Sequence, residues 1–121
     1  MRKNFGAKPF LYPQPVMVIA SCGKDGTPDA MNAAWGGISD DQELSMCISA
    51  EHKTTANILA RKAFTVSMAT AEQMVPCDYV GIESGNRVAN KLEKRAGTLP
   101  RRNLWTRPSS TSCLWPWSAA W

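Results

Sequence analysis

The segment Pro15-Val16-Met17-Val18-Ile19-Ala20-Ser21-Cys22 limits the architecture of this chain more than any other stretch. Its apolar residues run almost without a break, where a half-solvated strand would alternate with period two, so it reads as a strand buried on both faces. Such a strand needs neighbours in a sheet and a covering layer on each side. Gly23-Lys24-Asp25-Gly26-Thr27-Pro28 follows as a hairpin loop, with glycine at positions that call for positive φ. The chain returns through residues 29–39, a second strand notable for small side chains and for Gly36-Gly37. Paired glycines in a strand mark a bulge or a closely approached backbone. The approaching group is either a neighbouring strand at a barrel corner or a flat ligand.

After the acidic turn Asp40-Asp41-Gln42-Glu43, the apolar residues Leu44, Met46 and Ile48 alternate through residues 44–50, as a third strand requires. That strand runs into Glu51-His52-Lys53-Thr54-Thr55-Ala56-Asn57-Ile58. A short helix opens there over residues 56–63, with Thr54 or Thr55 as N-cap and Arg61 and Lys62 near its end. The N–H groups of the first turn, two threonine hydroxyls and the Lys53 ammonium together form a place for a phosphate, although a plain cap has the same pattern. Phe64 to Thr70 alternates as a fourth strand. Residues 71–84 read as helical, interrupted near Pro76 and ended by Gly85, and residues 88–94 are short and polar. Residues 1–14 form an arm, with prolines at positions 9, 13 and 15 blocking a helix. Tight-turned strands with a helix between the third and fourth predict a mainly β fold with inserted helices, built as a small antiparallel barrel.

A chain of 121 residues is one domain with room for a core. It contains no apolar run long enough to span a bilayer, and Met1-Arg2-Lys3-Asn4 leads into no signal-peptide core, so the expectation is a cytoplasmic protein with no membrane partner. Cys22, Cys47, Cys77 and Cys113 are scattered and His52 is the only histidine, which argues against a metal site and for reduced thiols. The net charge of +4 is localised: residues 1–94 hold ten basic and ten acidic residues, and Arg95, Arg101, Arg102 and Arg107 supply the excess. The same tail carries Trp105, Trp115, Trp117 and Trp121 and no acidic residue. A nucleic-acid partner would rest wholly on this tail, and none is expected.

The order of motifs between Lys8 and Lys94 resembles one known family. P-x-P-V-M-V-I-A-S is followed by the G-K-D-G-T-P turn, N-A-A-W-G-G, an alternating strand, H-K-T-T-A-N-I and F-T-V-S. This series is similar to the flavin reductase-like, FMN-binding split-barrel family, and within it to the flavoredoxin-type branch. The resemblance implies a Greek-key split barrel that forms a homodimer and holds FMN non-covalently near the dimer interface. It implies that the isoalloxazine lies along Asn32, Ala33, Ala34 and Trp35, with the ribityl chain near Ser49 and Ala50. The phosphate falls at His52, Lys53 and Thr54, and relatives often carry an arginine where His52 stands. Asn90-Lys91 resembles a segment whose lysine reaches the flavin, and Asn57 is as readily structural as ligand-binding. Small side chains let backbone groups reach the polar edge of a flavin, and Trp35 offers an aromatic wall or a core indole. Electrons then pass from a nicotinamide nucleotide, NADH or NADPH, or from a redox partner protein through FMN. No catalytic residue is assigned. The alternatives are a non-catalytic flavin- or haem-binding barrel and an inactive fragment.

The resemblance stops at Lys94, leaving the C-terminal half of the barrel incomplete. We read residues 1–94 as the N-terminal part of the split barrel and 95–121 as a non-homologous tail translated out of frame. Tryptophan has one codon, TGG, which makes the reading testable. In the frame starting on each third base, Trp115-Pro116-Trp117 must become apolar-Ala-apolar, and Trp105-Thr106 must become apolar-Asp. With permitted synonymous codons, the stretches around Trp105 and from Ser112 to Trp121 then resemble the family's next segments, in the same order.

Overall fold

The computed structural model describes residues 1–96. In chain order the elements are β1 (Met17–Cys22), β2 (Pro28–Ala33), β3 (Gly36–Asp40), β4 (Glu43–Met46), α1 (Lys53–Arg61), β5 (Thr65–Met68), a 3-10 turn at Ala71–Gln73, α2 (Met74–Ile82) and α3 (Lys91–Ala96). The central strand is β1. It pairs antiparallel with β2, from Met17 opposite Ala33 to Cys22 opposite Pro28, and on its other edge with β5, Met17 opposite Met68. A separate hairpin joins β3 to β4. The fold is therefore mainly β with inserted helices, and the described strands are part of a split barrel.

All six residues of β1 are buried, as the unbroken apolar run requires. Alternation divides them between two layers. Val18 and Ala20 pack with Ala30 against Cys77, Val80 and Leu92, beneath α2 and α3. Met17 and Ile19 pack with Ala33, and Met31, Met46, Ile48, Ile58 and Val66 close over them from the α1 side. Removing a side chain such as Ile19 from water contributes about 1.5–3 kcal/mol.

The Gly23–Pro28 loop behaves as its sequence predicts at Gly26, whose φ is +82°. The Gly26 amide donates to the Gly23 carbonyl at 3.0 Å, and the Gly23 amide to the Thr27 carbonyl at 2.8 Å. The Thr27 amide and hydroxyl both donate to the Asp25 carboxylate, at 3.0 and 2.7 Å. Those donors hold the Asp25 carboxyl below its ordinary pKa, the backbone N–H of Thr27 contributing most. Because the folded pKa is depressed, this brace is present above the unfolded carboxylate pKa and is lost as pH falls through the lowered value.

Several boundaries differ from the sequence reading. The second strand is two strands, broken at Ala34-Trp35, and the third stops at Met46. Helix α1 starts at Lys53 with His52 in the N-cap position, not at Thr54 or Thr55. Both threonine hydroxyls point elsewhere: Thr54 donates to Asp29, and Thr55 donates to the Ser49 carbonyl at 2.7 Å. Pro76 does not interrupt α2. It is the third residue of that helix, within the first turn, where a backbone N–H has no intrahelical acceptor to lose. The stretch read as short and polar contains α3, which begins at Lys91. Cys47 and Cys77 are free thiols, and Cys113 lies outside the described residues. Apart from Arg95 and Ala96 in α3, the proposed out-of-frame tail lies outside the described residues.

Of the two causes proposed for Gly36-Gly37, a neighbouring strand accounts for Gly36. A Cβ there would run into the Ser45 carbonyl and lie 2.8 Å from the Met17 methyl. At Gly37 the same atom would meet nothing within 4 Å. Gly36→Ala is therefore expected to lower stability by about 1–3 kcal/mol through overpacking, with Gly37→Ala near neutral. Urea unfolding of the two variants measures the difference, and equal midpoints would refute this account of Gly36.

Candidate functional site

Two adjoining cavities lie along β2. The first, about 410 Å³, is bounded by the N-terminal turn of α1, the end of α2 and the loop that follows it. The second, about 600 Å³, runs past Ala33, Ala34 and Trp35 to Cys47 and Ile48. Met31, Asn32, Ser49 and His52 line both, so the two form one continuous trough.

Three sequence features build the first cavity. Helix α1 opens toward it, and its first intrahelical bond runs from the Ala56 amide to the His52 carbonyl at 3.1 Å. The N–H groups of Lys53, Thr54 and Thr55 therefore have no acceptor within the helix and carry its partial positive charge. Gly85 lets the loop lie flat: a Cβ there would collide with the Asp29 carboxylate and sit 3.2 Å from the Lys53 side chain. The Asn86 carboxamide then donates to the Glu51 carbonyl at 2.8 Å, tying the loop to the entry of α1.

Behind this wall sits a buried polar network. Asp29, on β2, is 3% exposed and accepts a hydrogen bond from the Thr54 hydroxyl at 2.5 Å. Its other oxygen is 3.3 Å from the Lys91 ammonium, and Lys91 is also 3% exposed. Lys91 donates further to the carbonyls of Val80, at 3.1 Å, and Glu83, at 2.8 Å. An ammonium has three protons, and here all three have acceptors. A buried pair of this kind holds β2, α1, α3 and the C-terminal end of α2 in one arrangement.

The residues singled out from the sequence can now be placed. His52, Lys53, Thr54 and Lys91 line the first cavity, and Ala33, Ala34 and Trp35 line the second. Asn32 and Ser49 line both, whereas Ala50 is exposed and lines neither. Trp35 is 57% exposed and is a cavity rim, not a core indole. Lys91 is neither a surface lysine nor an uncommitted one, being held within the wall. Asn57, on the buried face of α1, donates to the Ser21 hydroxyl at 3.3 Å, a packing role. Asn32 donates to the Cys77 carbonyl at 2.9 Å and lies against Gly81, while its Oδ1 is buried with no partner among the described residues. Cys77 lies on the buried face of α2, and burial pushes the pKa of its thiol up. Among the described residues no cluster of three or more His, Cys, Asp or Glu could hold a metal, and no helix is long and apolar enough to cross a membrane.

Sequence reasoning missed Asp29 and the loop carrying Asn86 and Arg87. A carboxylate inside a strand of small residues was the available signal for Asp29. Arg87 had none, because an arginine in a polar loop is ordinary until the fold brings it to a cavity.

Comparison with known proteins agrees with this architecture. Residues 10–109 match the family model described as flavin reductase like domain, and the chain belongs to that family. The structure is similar to flavoredoxin of Desulfovibrio vulgaris (Miyazaki F), at 30% identity and TM-score 0.70, covering 78% of this chain and 53% of that one. It shares its fold with flavoredoxin from Methanosarcina acetivorans, at 22% identity and TM-score 0.67, over 75% of this chain and 50% of the other. The chain thus spans about half the length of the flavoredoxins it matches. Among proteins of curated function none matches.

Loss of one partner from the buried network leaves the other charge uncompensated. Lys91→Met is expected to cost about 3–5 kcal/mol, and adding Asp29→Asn should recover part of that loss. Chemical unfolding of the single and double variants tests this. A Lys91→Met protein as stable as the parent would show that the pair carries no structural weight.

Proposed function

We propose that the trough is a flavin site and that the chain is an FMN-binding redox domain of the flavin reductase or flavoredoxin type. The observation that carries this reading is the continuity of two unlike cavities. One end is polar, with free helix amides, Lys53 and Arg87. The other is flat and largely apolar, edged by Ala33, Ala34 and Trp35. A mononucleotide flavin has the same division, with a charged phosphate at one end and a planar ring at the other. Both volumes fall in the range of small-molecule sites.

The residues present fit such a ligand. The amides at the start of α1 and the Lys53 ammonium suit the phosphate. Ser49, which lines both cavities, suits the ribityl chain with exposed Ala50 beside it, and His52 borders the phosphate end with Lys53 and Thr54. The backbone of β2 beside Ala33 and Ala34 is open to the polar edge of a ring, because small side chains flank it. Lys91 supports the site from behind by fixing Asp29, and Asp29 fixes Thr54. Bound FMN would supply a centre at N5 that takes up a hydride or electrons, while the protein binds, orients and shields it. A nicotinamide nucleotide or a redox partner protein is the proposed donor. Val16 and Trp35 at the cavity and Ile38 on the neighbouring hairpin are all more than half exposed, which suits a rim covered by a second copy in a homodimer.

The tail belongs to the same proposal. We read residues 95–121 as out of frame, although the family match extends to residue 109, and the codons of Trp105, Trp115 and Trp117 with their neighbours decide it. A coding sequence that does not permit the alternative frame would sink that reading.

Titration of FMN, followed by quenching of flavin fluorescence, tests the site. Saturable binding is expected from this chain or, if the tail disrupts folding, from a version with its frame restored after Lys94. If neither chain binds, the flavin proposal fails. Bleaching of bound flavin by NADH or NADPH under anaerobic conditions would assign a reductase; bleaching only by a reduced protein would assign a carrier.

A further inference from the structure

We propose that Arg87 makes the site selective for a phosphorylated flavin over its dephosphorylated form. This rests on the flavin reading of the trough and adds to it a residue that the motif series does not contain. Arg87 lines the first cavity together with His52, Lys53 and Thr54 at the start of α1. Its position is set by the backbone and not by its own side chain. The Arg87 amide donates to the Ser84 carbonyl at 3.0 Å, the Val88 amide to the same carbonyl at 2.9 Å, and the Asn86 amide to the Ser84 hydroxyl at 3.3 Å. With Asn86 fastened to Glu51 and Lys91 fastened to Glu83, the loop is anchored on both sides of Arg87. The guanidinium itself is exposed and, among the described residues, has no ion-pair partner.

Charge balance makes this cation decisive. Asp29 and Lys91 neutralise each other behind the wall. The formal charges left on the lining are Lys53 and Arg87 against Glu51 and Glu83, which sum to nothing while His52 is neutral. A terminal phosphate brings close to two negative charges at neutral pH. Without Arg87 the lining is net negative and repels it, leaving only the helix amides and Lys53 in opposition. With Arg87, the lining gains a second cation beside Lys53 and the amides of the helix terminus, and a guanidinium can grip phosphate oxygens through two parallel N–H donors. A flavin ending in a hydroxyl has no use for either cation.

The test compares FMN with riboflavin on the full chain, or on the frame-restored chain if only that form binds. Arg87→Gln is expected to weaken FMN binding at least about tenfold and to change riboflavin binding by less than about twofold. Arg87→Lys should recover part of the loss, since it keeps the charge without the planar fork. Glu51→Gln, which removes a carboxylate from the same lining, should tighten FMN severalfold and leave riboflavin alone. Far-ultraviolet circular dichroism and the unfolding midpoint should be unchanged in each variant, because none of these side chains is buried. If Arg87→Gln weakens both flavins equally, or neither, Arg87 does not read the phosphate and the inference is overturned. If the parent binds neither flavin, the flavin reading has failed, which is a different result from a parent that binds both flavins with equal affinity.

Discussion

Asp29 is the point on which the rest of this structure turns. A carboxylate almost completely removed from water must be paired and hydrogen-bonded, or it will not remain ionised. Here the partners come from two different parts of the chain, Thr54 in the first turn of α1 and Lys91 at the start of α3. Satisfying one acid therefore brings α1 and α3 to the same end of β2. Lys91 extends the requirement, because its remaining protons are taken by Val80 and Glu83 at the end of α2. The wall of the first cavity follows from these contacts. Such a network contributes more to geometry than to net stability: a well-packed apolar replacement could match its energy but could not specify which turn faces which.

Much of the fold was legible in sequence because its signals are local. The unbroken apolar run of β1 demanded cover on both faces, and both layers are present. Gly26 marked a positive-φ turn. The Thr54-Thr55 pair located the start of a helix, though two or three residues too late. Propensity rules assign such hydroxyls to capping, while tertiary structure claimed one for Asp29 and the other for Ser49. The break at Ala34-Trp35 was not legible, since nothing in the residues distinguishes one strand with two glycines from two strands at an angle.

The site was legible where it coincides with motifs and opaque where it depends on long-range contact. Asn32, Ser49, His52 and Lys53, which the family resemblance singles out, line the two cavities. Lys91 is there too, but its role differs from a side chain reaching toward a ligand, because burial and three acceptors commit it to the wall. Arg87 could not have been found from spacing. It becomes a site residue only because Gly85 packs on Asp29 and Asn86 reaches Glu51, contacts that join positions 35 or more residues apart.

The two ends of the trough are related through the register of β2. Asp29 anchors the polar end and Ala33 borders the flat end, four residues and about 13 Å apart at the rise of an extended strand. Both point to the α1 side, as Met31 does between them, while Ala30 and Asn32 point toward α2. A slip of one residue against β1 would turn Asp29 into the apolar layer under α2 and bring Ala30 to Thr54, destroying the network and the cavity wall in one step. Pairing of Ser21 with Asp29 and of Met17 with Ala33 is thus held at both ends, by charge at one and by close packing at the other. At its flat end the trough is bordered by the small side chains of Ala33 and Ala34. Their size leaves room for the trough, and register is supplied by the single acid that has no alternative place to go.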